Sequence, residues 1–186
     1  NDERTIDFCY DPKTEPKRCI NKFAVCVPLI KVGDVSKNLD IVFLPDNAID
    51  LKPFEDKLWE HINLLLSVEP FKSRKNQINF HFVKTYEDFG YYNKGSPIDL
   101  NKIILFTEIC ENTDETLVIT EPDVIGYAYE HLLVSTINKP WMTVHEIGHS
   151  LAGFADTYFV FARNDGNPDP NLPPYRKTNI DVGGCP

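Results

Sequence analysis

Residues 140–158 read Pro-Trp-Met-Thr-Val-His-Glu-Ile-Gly-His-Ser-Leu-Ala-Gly-Phe-Ala-Asp-Thr-Tyr and contain the pattern His145-Glu146-x-x-His149. Side chains four apart on a helix are neighbours about 5–6 Å apart, so both imidazoles can face one metal ion. Zinc used for catalysis takes three protein ligands and keeps a further position for water. Asp156 is the best third candidate by position, against the plainer reading of a solvated acid past the helix end, but it can reach the ion only after a turn. On a straight helix it would lie about 10 Å beyond His149 at a 1.5 Å rise per residue, too far to share a ligand shell of roughly 2 Å. Gly153 supplies the break, because without a Cβ it can take the left-handed conformation that ends a helix and lets the chain fold back. Glu146 projects about 100° around the helix from His145, which suits a base for the water that zinc activates rather than a fourth ligand. A shuffled chain of this composition would hold the five-residue pattern about one time in a hundred, so the surrounding residues must carry weight too.

Those surroundings are the elements that position the site. Pro140 can open a helix, and Val144, Ile147, Leu151 and Phe154 form an apolar stripe to back it. Tyr158 could bond a developing oxyanion, although a core aromatic is the plainer reading. Upstream, Leu39–Leu44 is a short apolar run closed by Pro45-Asp46-Asn47, the pattern of a buried strand entering a turn. A helix follows, capped by Asp50, with Pro53 in its first turn and Leu51, Phe54, Leu58, Ile62 and Leu65 along one stripe. His61 sits beside that stripe as an ordinary helix residue. Ile78–Val83 alternates as a strand, with His81 in a structural or surface role, although it could in principle face a metal. Lys102–Thr107 and Thr116–Thr120 read as two more strands and Leu132–Ile137 as a further one, separated by loops rich in Gly, Asn and Asp. After Tyr158 the prolines and Gly183-Gly184 predict mostly loop. The expected fold class is therefore α/β: a twisted mixed sheet, a backing helix near 50–67 and an active-site helix near 140–153.

The chain has 186 residues, 42% of them hydrophobic and 25% charged, with a formal net charge of −9. That balance predicts a globular domain and disfavours nucleic acid as a partner, since no Lys/Arg stripe offsets the acidity. Apolar runs fall far short of the roughly 20 residues of a membrane helix, so membrane insertion is not expected. Residues 1–36 are polar and broken by prolines until Phe23–Val32, and read as an irregular or β-rich lead-in to a body spanning 37–186. The chain starts at Asn1 without an initiator Met or a signal-like segment, which reads as a processed or trimmed form. Five cysteines, Cys9, Cys19, Cys26, Cys110 and Cys185, lack the close pairing of a zinc ribbon. Disulfides in an oxidising, extracytoplasmic setting fit better, with at least two of Cys9, Cys19 and Cys26 bonded.

The segment His145–Tyr158 resembles the extended zinc motif of the IgA-peptidase family of bacterial and archaeal metallopeptidases, whose pattern is His-Glu-x-Gly-His, three residues, then Gly-Leu-Ala-Asp-Glu-Tyr. Asp40–Leu44, the helix through Leu66, Glu69-Pro70-Phe71 and Asn79–Val83 are similar to that family's strand, helix and following strand, so the likeness runs loosely from about residue 39 to 158. It implies a metzincin-like zincin domain with His145, His149 and Asp156 as ligands of one zinc ion and Glu146 as base. Two positions depart from the pattern. Thr157 stands where the family has Glu, and the only Met, Met142, precedes the motif, leaving no Met-turn downstream. The expected function is that of a secreted zinc-dependent endopeptidase acting on polypeptides. The alternatives are a non-catalytic zinc-containing binding or adhesion module, or an aspzincin, in which the Asp usually lies further downstream. Glu15-Pro-Lys-Arg-Cys19 further resembles the cysteine-switch pro-segments whose thiolate closes a zinc site, against the plainer reading of Cys19 in a disulfide.

Overall fold

The computed structural model describes residues 5–8, 20–46, 48–90, 99–121 and 126–153. Strands β1 (Thr5–Phe8) and β2 (Ile20–Phe23) pair antiparallel in a two-stranded sheet of their own. The main sheet has six strands: β3 (Val25–Ile30), β4 (Leu39–Asp46), β5 (Ile78–Lys84), β6 (Glu115–Thr120), β7 (Tyr127–Tyr129) and β8 (Leu132–Thr136), in the order β3-β5-β4-β6-β8-β7. The four inner strands run parallel, and antiparallel β3 and β7 close the two edges. The α/β class with a mixed sheet is what the sequence predicts.

Strand alternation sorts the core into two layers. Ile41 and Phe43 of β4, Phe80 and Phe82 of β5, and Leu117 and Ile119 of β6 face one side, where they meet α1 (Leu51–Leu65) and α3 (Pro140–Ala152). Val42, Leu44, Val83 and Val118 face the other side and meet α2 (Leu100–Thr107). Leu58, Ile62 and Leu65 of α1 are fully buried, each stabilising the fold by about 2 kcal/mol through the apolar area it removes from water. As the spacing predicts, Asp50 caps α1 by accepting the Lys52 N–H at 3.0 Å. Among the described residues no helix is long and apolar enough to cross a membrane.

Two elements differ from the sequence reading. Lys102–Thr107 is helix rather than strand. Asp99 caps it by accepting the Lys102 N–H at 3.0 Å, and Ile103 and Phe106, three apart, carry its buried face while Ile104 is 55% exposed. A six-residue apolar run has too little periodicity to separate the two states. In addition, β4 continues through Pro45 and Asp46 instead of turning there. Pairing with β5 has ended at Phe43 by that point, while pairing with β6 runs on to Asp46, so the proline sits where only one neighbour remains. Within the first 36 residues, β3 is an integral edge of the main sheet, and Cys26 on it is disulfide-bonded to Cys110 just beyond α2. Cys9, Cys19 and Cys185 lie outside the described residues.

Candidate metal centre

The helix that carries the motif starts and stops as its sequence dictates. Pro140 occupies the first turn of α3, where its missing N–H breaks no bond. Gly153 ends the helix at φ 64°, ψ 25°, with its N–H bonded to the His149 carbonyl at 3.1 Å. A Cβ at Gly153 would meet nothing within 4 Å, so the demand for glycine there is purely one of backbone conformation. Asp156, Tyr158 and Phe154 lie beyond the described residues.

On α3 the imidazoles of His145 and His149 stand side by side, half-buried, with Nε2 atoms 3.0 Å apart and ring planes at 85°. Two nitrogens bound to one tetrahedral zinc at 2.0–2.1 Å are about 3.3 Å apart. The pair therefore fits such an ion with an adjustment of a few tenths of an ångström. A Glu146 carboxylate oxygen joins them, the three ligand-capable atoms lying within 4.8 Å of one another. The two imidazoles are donors suited to zinc, and the carboxylate stands close enough to them to act on a water beside such an ion.

Glu146 is only 3% exposed, and it belongs to the buried side of α3 with Met142, Thr143 and Ile147. This corrects the predicted backing stripe: Ile147 is buried and Val144 half-buried, but Leu151 is 42% exposed. The face that packs inward thus includes the candidate base. Its place is defined by Gly126, just before β7. A Cβ added at Gly126 would stand 2.5 Å from Glu146 Oε1 and 2.7 Å from Met142 Sδ, closer than real atoms approach. Sequence reasoning missed Gly126. It shows only as a glycine in a loop, and its partner is twenty residues away on another element.

Two polar clusters fix α3 to the rest of the fold. His61, fully buried on α1, bonds Thr143 Oγ1 at 2.7 Å through Nδ1 and the Ile137 carbonyl at 3.0 Å through Nε2. Burial holds its pKa below the usual value, which favours the neutral ring, with Nε2–H donating to the carbonyl and Nδ1 accepting from Thr143. His61 therefore does more than the sequence suggests, because it joins α1 to α3. At the other end of α3, the Ser150 hydroxyl lies 2.7 Å from the buried carboxylate of Glu115, whose second oxygen is 3.1 Å from His131 Nδ1. That bond and the charge of Glu115 raise the His131 pKa.

No protein-family model matches the chain, and no curated protein matches it.

Proposed function

We propose that the chain is a zinc-dependent endopeptidase that hydrolyses peptide bonds of polypeptide substrates in an extracytoplasmic setting. The observation that carries this reading is the His145–His149 pair, with nitrogens 3.0 Å apart, beside the buried carboxylate of Glu146. His145 and His149 would hold the ion, with Asp156 as the third ligand that the motif's resemblance to the IgA-peptidase family implies. When bound, zinc supplies Lewis acidity toward a scissile carbonyl and a water. Glu146 takes the proton from the attacking water and delivers it to the departing amine nitrogen, a role that requires a carboxylate close to the metal ligands but not spent as one. Gly126 leaves the room that carboxylate occupies, and the His61 and Glu115 clusters tie α3 to α1 and β6. The mixed six-stranded sheet backed by α1 and α3 supports a zincin-type architecture.

The test combines metal analysis with digestion of a general peptide library. The zinc-loaded protein is expected to cleave, and Glu146→Gln is expected to retain its zinc while losing turnover by about a hundredfold or more. Full zinc occupancy without any cleavage by the parent protein would overturn the peptidase reading in favour of a structural zinc module.

A further inference from the structure

A second group of metal-ligating side chains lies on the opposite face of the sheet, away from α3. Cys26 on β3 and Cys110 beyond α2 are joined as a cystine, and one ring nitrogen of His81 on β5 lies within 4.8 Å of both sulfurs. Cys110 and His81 are buried and Cys26 half-buried. His81 Nε2 is 2.8 Å from the fully buried carboxylate of Asp40, which also accepts from Asn79 Nδ2 at 3.1 and 3.2 Å. Asn79 has a second duty, since its Oδ1 accepts the Val32 N–H at 2.9 Å and the Gly33 N–H at 3.3 Å. His81 has none. A covalent crosslink needs nothing from a neighbouring imidazole, and burying an Asp–His pair under an apolar layer is costly.

We propose that Cys26, Cys110 and His81 form a zinc site when the cystine is reduced, so that a metal ion replaces the covalent tie between β3 and the end of α2. Asp40 gives the imidazole the support a ligating histidine requires: it holds the proton on Nε2 and leaves the lone pair of Nδ1 for the ion. Two thiolates and one imidazole are a donor set that zinc accepts, with a fourth position open. A dithiol reductant supplies the two electrons. The S–S bond breaks, both sulfurs become thiols, the reductant becomes a disulfide, and the incoming ion then displaces one proton from each thiol to solvent. Two thiolates at 2.3 Å around a tetrahedral zinc stand about 3.8 Å apart, a separation that side-chain rotation can reach on Cα atoms 5.4 Å apart. Cys110 also lines an open groove of about 460 Å³ with Glu108, Glu111 and Thr113, so one side of the cluster borders an acidic surface.

The experiment uses the full chain with Cys9, Cys19 and Cys185 replaced by Ser, so that Cys26 and Cys110 are the only thiols. Zinc content is measured on the oxidised and the dithiol-reduced protein. The reduced form is expected to hold one more equivalent, and cobalt in its place is expected to show thiolate charge-transfer absorption. His81→Gln should weaken that additional binding at least tenfold, and Cys110→Ser should abolish it. Any ion held by α3 counts equally in both redox states and cancels, so failure of the peptidase reading leaves this difference untouched. Equal zinc in the two states, or an additional equivalent indifferent to His81→Gln, would overturn the proposal. If reduction unfolds the chain, circular dichroism decides: refolding on addition of zinc supports the site, and no recovery refutes it.

Discussion

The proposed base, Glu146, needs a fixed place, and that place is shaped by a missing side chain. Because a Cβ at position 126 would fall 2.5 Å from Glu146 Oε1, Gly126→Ala must push the carboxylate aside or move β7. A shift of about 1 Å in a reacting group can cost on the order of a hundredfold in rate. The expected outcome is a loss of peptide hydrolysis of about tenfold or more with zinc content unchanged, checked by turnover and metal analysis on the same preparation. Asp156→Ala should do the reverse kind of damage, lowering zinc affinity by well over tenfold, and unchanged affinity would place the third ligand elsewhere. The difference between these two residues also shows what a sequence can disclose. The placing of His145, Glu146 and His149 together on one helix is legible because helical geometry fixes neighbours four apart, whatever the rest of the fold does. Gly126 is not, because its demand for glycine arises from a helix that packs against it only in three dimensions.

At the scale of elements, α3 is held by what α1 presents to it. His61 joins them while kept neutral by burial, so its protonation opposes folding. Above its ordinary pKa of 6.5 the folded and unfolded chains are both neutral at this site, and the pair of hydrogen bonds is fully effective. As the pH falls below that value the unfolded chain gains a proton that the fold refuses, and stability declines toward the lowered folded pKa. His131 has the opposite sign, favouring the fold at low pH and ceasing to do so as pH rises through its raised pKa, but its side chain is 78% exposed and water screens the effect. His61→Gln should therefore melt well below the parent near pH 7.5, and the gap should narrow toward about pH 5. A gap constant across that range would show that His61 titrates as it does in the unfolded chain. Nothing in the sequence marks this role, since a histidine beside an apolar stripe looks the same whether it meets solvent or a second helix. Element α2 failed for a related reason, its short apolar run fitting a helix and a strand equally well. The longer stripe of α1 left no such choice, because five apolar residues spread over four turns match only one period.

At the scale of the whole molecule, both edges of the parallel core are closed by antiparallel strands, and one of them comes from the first 36 residues. Strand β3 covers β5, its following loop bonds Asn79, and Cys26 ties it across a separation of 84 residues to Cys110. Closing a loop of that length is worth on the order of 4–5 kcal/mol in the chain-entropy account, a large share of the roughly 5–15 kcal/mol that stabilises a typical domain. Two truncations separate the lead-in into parts with different consequences. Removing residues 1–23 takes away β1 and β2, which pair with each other, and Cys19, whose resemblance to a cysteine switch lies outside the described residues. The main sheet and the crosslink remain, so cooperative melting should persist; a rise in peptide hydrolysis would identify this segment as a restraint on the site, and an unchanged rate would leave it without one. Removing residues 1–36 also strips β3, uncovers the edge of β5 and leaves Cys110 unpaired, and it should lower the melting temperature sharply or yield insoluble protein. If instead the longer deletion melts like the parent, β3 adds no stability to the sheet, and the lead-in ends where the change in composition at residue 36 places it.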